Sequence, residues 1–343
     1  MKKLLLLLFS TVILLSCSHK AENVERAFYY WKSNEGWQES ESEQELLTEL
    51  EVQKLYVKFF EVEKNAVMGN VPVAKTSYSM YDVENLDLVP TVYLRNEVFK
   101  NCTRGSLDTL ADNVNFLIDK YASDYRFSSL KKPKEYQMDC DWTPTTKDNY
   151  FYFLEKIKAL SGKKISCTLR LYPYKYPDKM GVPPVNKAML MCYNLINPLK
   201  DHNRNSILDI DEFSAYLDTD DAYPLHLDIA LPVYSWLQVY QNNQFTKVLY
   251  TNTKAVKSVL SPEKPLWYNV TRDTVINNFY LRKGNKVKVE EISTETLKKA
   301  IKKIKRHIAL DRTITVSLFH LDEQQLSTYS HEELQDFYTG FTN

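Results

Sequence analysis

The chain has 343 residues, and its 44 Lys and Arg residues balance its 44 Asp and Glu residues, so the formal net charge is zero. Hydrophobic residues make up 44% and charged residues 26% of the chain, which is ordinary globular usage and excludes a largely disordered protein. The charge balance gives no reason to expect a nucleic-acid partner.

Glycine and histidine usage excludes several classes of enzyme site. No two of the seven glycines lie within six residues of one another, so phosphate loops, dinucleotide fingerprints and nucleophile elbows are absent. The six histidines form no H-E-x-x-H motif, which argues against a zinc hydrolase. The 24 Tyr, 15 Phe and 5 Trp residues suit stacking on sugar rings, and they suit core packing equally well.

The first 16 residues are typical of a secretory signal peptide. Two lysines precede a short leucine-rich stretch that is too short to span a bilayer, and the stretch ends in Leu14-Leu15-Ser16 directly before Cys17. This ending resembles a bacterial lipobox. The resemblance implies an acylated Cys17, a lipid-anchored linker over residues 17–25 and an exported domain that contacts the membrane through its anchor. The alternative is an ordinary signal peptide followed by a fortuitous cysteine.

Ser18 follows the predicted lipidation site and is not an acidic residue. By resemblance to other lipoproteins, this favours the outer membrane of the cell envelope, with the face of that membrane left open. The remaining cysteines, Cys102, Cys140, Cys167 and Cys192, lie mostly in apolar strand-like runs without metal-ligand spacing. We expect buried free thiols here, because free cysteine behaves as a small hydrophobic residue.

From Arg26 onward, short β-rich runs alternate with longer segments of helical period, a pattern typical of βα units around a parallel sheet. Eight units over about 300 residues predict a (β/α)₈ TIM barrel over residues 26–343. The predicted strands are residues 27–31, 55–62, 89–96, 136–142, 165–172, 188–194, 227–236 and 313–320.

Start signals for helices lie between these strands, where a capping residue precedes acidic residues. The connection after the second strand has the weakest signal, and it is left open between a helix and a loop. The predicted starts are Ser42, Ser106, Thr146, Ser206, Ser293 and Ser330.

Residues 237–292 interrupt the alternation and hold two or three strand-like pieces. We expect a β-rich insertion between the seventh strand and the helix that follows it, with a hairpin formed by residues 279–282 and 286–289. Since the connection after a barrel strand opens on the carboxyl-terminal face, the insertion should lie beside the barrel mouth.

Alternation along the strands predicts which side chains face the barrel interior. Asp139 and Asp141 face inward on the fourth strand, about 6.6 Å apart at two steps of about 3.3 Å. One reading is an interior salt-bridge network with Arg170 or Lys58; the other is a catalytic or ligand-orienting carboxylate pair. The predicted substrate-binding residues are Lys58, Arg95, Arg170, Tyr172, Tyr193, Asn194, Tyr234 and Trp236.

The run Asp139-Cys140-Asp141-Trp142 ends the fourth strand, and Met191-Cys192-Tyr193-Asn194 ends the sixth. Together they resemble the paired motifs of chitinase-type glycosidases of family eighteen, D-x-x-D-x-D-x-E and M-x-Y-D. The resemblance implies a glycosidase-like barrel in which Asp141 orients the substrate or stabilises the transition state. Here Tyr136 replaces the first aspartate, Thr143 stands where the acid glutamate should be, and Asn194 replaces the last aspartate.

Another carboxylate near a strand end could supply the missing acid, since a two-carboxylate glycosidase needs partners about 5 to 10 Å apart. Glu61, Glu63 and Glu97 are the residues considered, and the preferred interpretation of each is a solvated strand-end charge.

In overall layout the chain also resembles an uncharacterised bacterial lipoprotein family with the same glycosidase-like barrel. The runs that carry this resemblance include Lys175-Tyr176-Pro177, Gly181-Val182-Pro183-Pro184-Val185 and Ala230-Leu231-Pro232. That family carries no assigned activity, so the resemblance bears on the fold.

Residues 201–212 place oxygen side chains at the spacing of a calcium-binding EF-hand loop, at Asp201, Asn203, Asn205, Asp209 and Glu212. Ser206 stands where such a loop needs glycine, so the preferred interpretation is a capped helix start after a polar loop. No other cofactor is expected.

Two functions therefore remain open. The first is an envelope-anchored lipoprotein that binds or cleaves a carbohydrate at the carboxyl-terminal mouth of its barrel. The second is a non-catalytic glycan-binding or scaffolding lipoprotein whose active site is degenerate.

Overall fold

A computed structural model describes residues 20–32, 40–76, 86–123, 132–200, 202–219 and 221–343. The predicted signal peptide and Cys17 lie outside the described residues. Within the described ranges, no helix combines the length and apolar character needed to cross a membrane.

The described residues contain sixteen strands, which form one parallel barrel and a separate set of antiparallel strands. They are β1 Asn23–Tyr30, β2 Lys54–Asn65, β3 Gly69–Val73, β4 Asp87–Leu94, β5 Glu135–Asp139, β6 Lys164–Arg170, β7 Lys187–Met191, β8 Leu227–Pro232, β9 Trp236–Gln241, β10 Gln244–Leu249, β11 Leu260–Lys264, β12 Trp267–Val270, β13 Thr274–Ile276, β14 Phe279–Leu281, β15 Lys286–Glu290 and β16 Thr313–Phe319.

Nine α-helices occur in the same ranges. They are α1 Glu41–Glu49, α2 Arg104–Ala122, α3 Lys147–Ser161, α4 Leu171–Lys175, α5 Pro177–Met180, α6 Ile210–Leu217, α7 Thr294–His307, α8 Glu323–Leu326 and α9 His331–Thr339.

Eight parallel strands close into a barrel in the order β1, β2, β4, β5, β6, β7, β8, β16, and β16 pairs back onto β1. This closed ring confirms the predicted (β/α)₈ fold. The strands are buried on both faces, as expected when helices cover the outside and side chains fill the inside. In α7, for example, Leu297, Ala300, Ile301 and Ile304 form the buried stripe.

Three predicted helix starts, Thr146, Ser293 and Ser330, are the residues that cap α3, α7 and α9. The other three predicted starts were misplaced by two or three residues. The caps of α1 and α2 are Ser40 and Thr103, upstream of the predicted residues, and each forms reciprocal side-chain hydrogen bonds with the third residue of its helix. The cap of α6 is Asp209, whose carboxylate accepts two backbone N–H groups, and not Ser206.

Several strand boundaries differ from the prediction. β1 begins at Asn23, inside the segment predicted as a linker, because it pairs with β16 from Thr313 onward. β6 ends at Arg170 and β8 ends at Pro232, so the chain leaves the barrel earlier than predicted. β2 continues into an antiparallel hairpin with β3, and no helix occurs among the residues described between β2 and β4.

Between β8 and α7 the chain builds a five-stranded antiparallel sheet, in the order β10, β9, β15, β12, β11, and a two-stranded sheet. This insertion has its own apolar core, which includes Leu237, Val239, Val270 and Val287. The predicted hairpin was wrong: β14 pairs with β13, and β15 pairs with β9 and β12. Asn277 and Asn278 both adopt positive φ angles, which makes the tight turn between β13 and β14.

Candidate functional site

A cavity of about 450 Å³ opens where the carboxyl ends of the barrel strands meet, which is the usual position of sites in this fold. Six of its lining residues carry tyrosine or tryptophan rings, and five carry carboxylates or cations. The lining residues are Trp31, Lys58, Glu61, Tyr93, Asp139, Asp141, Arg170, Met191, Tyr193, Asn194, Tyr234, Trp236, Tyr250, Phe319 and His320. We call this space the mouth cavity.

Asp139 ends β5 and is almost fully buried in the floor of the mouth cavity. One of its carboxylate oxygens accepts a hydrogen bond of 2.5 Å from the Thr168 hydroxyl on β6. Burial, and then the charge of Asp141, raise the pKa of Asp139 to about 7, although the Thr168 hydrogen bond and Arg170 act in the opposite direction. Asp139 is therefore poised to hold or release a proton near neutral pH.

Asp141 lies two residues beyond β5 and forms a two-point salt bridge with Arg170 at the end of β6. The Arg170 Nη2 atom donates to one Asp141 oxygen at 2.7 Å, and Nε donates to the other. Burial alone would lower the pKa of Arg170, but the hydrogen bonds and charge of Asp141 outweigh it, so the pKa is raised. The cation that compensates the carboxylate pair is thus Arg170.

Lys58 lines the mouth cavity but pairs with Glu61, at 2.8 Å between Nζ and Oε1. Its ammonium group also lies 5.5 Å from the centre of the Trp31 ring. Arg95 does not line the mouth cavity, contrary to its predicted role. Its half-exposed side chain lies outside and contacts Glu61 and Glu63, because β4 ends at Leu94.

Tyr193 contributes a buried hydroxyl group that has no hydrogen-bond partner among the described residues. Its ring packs edge-on against Tyr234 and close to Phe319. The Tyr234 hydroxyl donates to the Asn194 side chain at 2.6 Å. A buried hydroxyl without a partner is costly, so Tyr193 offers a ready contact to a polar group that enters the mouth cavity.

Trp236 starts β9, the first strand of the insertion, and was predicted at the end of a barrel strand. Its ring lines the mouth cavity, and its indole N–H donates to Glu290, the residue opposite it on β15. Glu290 is fully buried and also accepts hydrogen bonds from Gln238, Lys288 and Ser206. This buried carboxylate fixes the orientation of the Trp236 ring.

Tyr172 was predicted to point into the barrel, and the structure contradicts this. The strand ends at Arg170, and Tyr172 lies on α4 with 39% of its surface exposed. Its hydroxyl accepts a hydrogen bond of 2.9 Å from Lys179. Tyr172 lines a neighbouring apolar cleft of about 260 Å³ together with Trp142 and Met180, on the other side of Arg170 and Asp141.

The position of the missing acid, Thr143, faces that apolar cleft and not the mouth cavity. The Thr143 hydroxyl lies 3.0 Å from that of Thr145 and 3.1 Å from that of Thr146, at the start of α3. Of the three alternative carboxylates, only Glu61 lines the mouth cavity. Glu63 and Glu97 lie outside it, paired with Arg95 and Lys100.

Side-chain oxygens considered as calcium ligands in residues 201–212 form contacts within the protein. Arg204 forms salt bridges with both Asp209 and Glu212, at 2.6 and 3.2 Å. The side-chain oxygen of Asn205 accepts hydrogen bonds from the backbone N–H groups of Ile207 and Leu208. Asp201 lies outside the described residues, and the described residues contain no cluster of three or more metal-binding side chains. The segment is a capped helix start, which was the preferred interpretation.

Several lining residues were not assigned to the site from the sequence. Trp31, Phe319 and His320 end or follow the first and last barrel strands, whose inward faces had not been assigned. Burial lowers the pKa of His320 to about 4, so its imidazole is neutral at neutral pH. Tyr250 reaches the mouth cavity from the insertion, and no local pattern marks that contact.

No protein-family model matches the sequence, and no curated protein matches it. The fold resembles solved structures. The spore cortex-lytic enzyme SleL of Bacillus megaterium aligns with a TM-score of 0.54 and 13% identity, over 93% of this chain and 74% of that one. A chitinase of Chromobacterium violaceum aligns with a TM-score of 0.52 and 11% identity, over 93% of this chain and 99% of that one. The Group IV chitinase of Ostrinia furnacalis aligns with a TM-score of 0.52 and 10% identity, over 93% of this chain and 100% of that one.

At such low identity these likenesses show a shared fold and carry no function with them. They show that this chain shares the TIM-barrel fold of these enzymes, the fold that the resemblance of the two strand-end motifs implies. The resemblance to an uncharacterised lipoprotein family stays a prediction.

Proposed function

We propose that the mouth cavity binds a carbohydrate. One observation carries the proposal: aromatic rings and hydrogen-bonding side chains converge on the same cavity, whose volume of about 450 Å³ suits a small ligand. Trp236 and Tyr250 offer faces for the apolar side of a sugar ring, while Asp139 and Asp141 offer acceptors for its hydroxyl groups.

Hydrolysis is the second candidate, and the environment of Asp139 favours it. A carboxyl group with a raised pKa beside a second carboxylate that an arginine pairs is an arrangement in which the first can act as acid and the second as stabilising charge. The pKa of Asp139 is raised to about 7, whereas its neighbour Asp141 is held by Arg170. In this candidate Asp139 supplies the proton that the residue at position 143 cannot supply.

Isothermal titration calorimetry with oligosaccharides of N-acetylglucosamine and a wider glycan panel tests binding. The proposal predicts that Tyr193→Phe and Trp236→Ala each weaken binding at least several-fold, because both side chains line the cavity. Tyr280→Ala is the matched control, since Tyr280 is an exposed aromatic residue on β14 outside the cavity lining. Equal affinities for all variants would contradict the proposal.

Hydrolysis is tested with an assay for reducing ends, in which the substrate is the oligosaccharide that binds in calorimetry. If the protein is an enzyme, Asp139→Asn and Asp141→Asn each abolish turnover while the fold is retained. Sugar binding without turnover in the wild-type protein would establish the non-catalytic alternative.

We further propose that the chain is a lipid-anchored protein of the cell envelope, attached through Cys17 and located at the outer membrane. The support is the leader sequence with its Leu-Leu-Ser-Cys ending. Mass spectrometry of the amino-terminal peptide should find acyl chains on Cys17, and Cys17→Ser should abolish them.

A further inference from the structure

The face of the barrel opposite the mouth cavity carries an excess of positive charge. It is formed by the amino-terminal ends of the barrel strands and by the last turns of the helices that lead into them. We call it the basal face. Lys20, the first described residue, is exposed there, three residues before β1 begins at Asn23.

The end of α7 contributes most of this charge. The helix begins beside the insertion and ends six residues before β16, so its carboxyl end lies at the basal face. Its last two turns present Lys302, Lys303, Lys305 and Arg306 away from the buried stripe. The Ala21 N–H donates to the Phe341 carbonyl oxygen at 3.2 Å, and Lys305 Nζ donates to the Asn343 backbone oxygen at 2.7 Å, so the start of the described chain lies beside this helix.

Several acidic residues of the basal face are paired within the fold. Glu22 contacts Arg312 at 2.6 Å, and Asp87 contacts Lys134 at 3.3 Å. In the barrel floor, Lys187 lies between Glu135 and Asp228. Asp119, Asp218 and Asp221, near the ends of α2 and α6, have no salt-bridge partner among the described residues.

A second set of basal cations has no salt-bridge partner among the described residues. These side chains lie at the starts of β1, β5 and β6 and at the end of α7, and Lys305 donates only to the backbone oxygen of Asn343, at 2.7 Å. The set comprises Lys20, Lys132, Lys164, Lys302, Lys303 and Arg306. On the described part of the basal face, cations without a salt-bridge partner therefore outnumber acidic residues without one, although the whole chain has no net charge.

We propose that the basal face lies against an anionic lipid surface, so that the mouth cavity points away from the bilayer. Cys17 is three residues from Lys20, so a lipid anchor at Cys17 would hold Lys20 within about 11 Å of the membrane, at about 3.6 Å per residue. Exposed cations at that distance attract anionic headgroups, and salt screens the attraction over about 10 Å.

This inference rests on the proposed lipidation and is independent of the carbohydrate site. The test uses the full chain as produced and processed by the cell, purified in detergent and reconstituted into vesicles. One set of vesicles contains phosphatidylcholine alone, and the other also contains phosphatidylglycerol. Lysines are acetylated briefly, and each site is quantified by mass spectrometry.

We expect Lys132, Lys164, Lys302 and Lys303 to react several-fold more slowly in the vesicles with phosphatidylglycerol, and we expect high salt to remove this protection. Lys257 and Lys283, which are exposed on the insertion, should react equally in both sets. Equal reactivity of the basal lysines in the two sets would overturn the proposal.

Charge reversal provides the matched variants. Lys302→Glu with Lys303→Glu should abolish the protection of Lys132 and Lys164, whereas Lys257→Glu with Lys283→Glu should leave it intact. Circular dichroism verifies that the variants fold. Mass spectrometry of the amino-terminal peptide separates the two ways of failing: an acylated chain without basal protection overturns this orientation alone, and an unacylated chain overturns the anchor and the orientation together.

Discussion

Arg170 donates a hydrogen bond to each carboxylate oxygen of Asp141, and this ion pair forms the wall between the polar mouth cavity and the apolar cleft beside it. Both side chains belong to the linings of both spaces. A ligand group that reaches the wall therefore meets a fixed carboxylate and a fixed guanidinium side by side.

Arg170→Lys keeps the charge of this wall but loses the two-point geometry. We expect it to weaken carbohydrate binding at least several-fold by calorimetry. The pair is more than one-third exposed, so the free energy of unfolding should fall by no more than about 1 kcal/mol. Unchanged affinity in this variant would show that the orientation of Asp141 does not matter for the ligand.

Asp139 should make stability depend on pH in a defined direction. Its pKa is raised to about 7, from an ordinary value near 4, so the unfolded chain ionises at lower pH than the folded chain does. The contribution of Asp139 therefore lowers the free energy of unfolding as pH rises from about 4 to 7, and levels off above that.

Asp139→Asn should remove this dependence and keep an acceptor for the Thr168 hydroxyl. The difference in unfolding free energy between wild type and variant, measured in urea at several pH values, should change by about 1.4 kcal/mol per unit of pKa shift. A difference that stays constant from pH 4 to 8 would mean that Asp139 titrates normally.

Glu290 and Lys288 form a fully buried ion pair, at 2.8 Å, that supports Trp236. Glu290→Gln removes the negative charge from this buried pair, and we expect a loss of about 3 kcal/mol or more in the free energy of unfolding measured in urea. Lys286 and Glu263 provide the control, since they pair at 2.8 Å on a more exposed part of the same sheet. Glu263→Gln should cost less than about 1 kcal/mol, and equal costs would contradict the proposed support of Trp236.

The cysteines provide a simple check of the core. Cys140, Cys167 and Cys192 are buried free thiols, as the sequence predicted, and Cys102 is half-buried. A thiol reagent such as dithionitrobenzoate should label these three cysteines only after unfolding, because burial raises the pKa of each thiol and excludes the reagent. Rapid labelling of Cys140 in the folded protein would contradict the packing behind β5.

The alternation of the sequence was sufficient to predict the barrel and the side of β5 that faces its interior. It found Asp139 and Asp141, because residues two apart on a strand share a face. It could not show where a strand ends. Tyr172 continues the alternating pattern of β6 in the sequence, but in the structure the strand ends at Arg170 and α4 begins at Leu171.

Contacts made across long sequence separations were also beyond the sequence pattern. Glu290 supports Trp236 from 54 residues away, through the pairing of β9 with β15. Tyr250, which follows β10 of the insertion, also lines the mouth cavity. Such contacts depend on which strands pair, and the predicted hairpin assigned that pairing incorrectly.

A crystal structure of the protein soaked with oligomers of N-acetylglucosamine tests the central proposal most directly. We expect sugar in the mouth cavity, with a ring against Trp236 or Tyr250 and a polar group within about 3.2 Å of Asp139 or Asp141, which is hydrogen-bond distance. An empty cavity in crystals that hold sugar elsewhere on the barrel would contradict it.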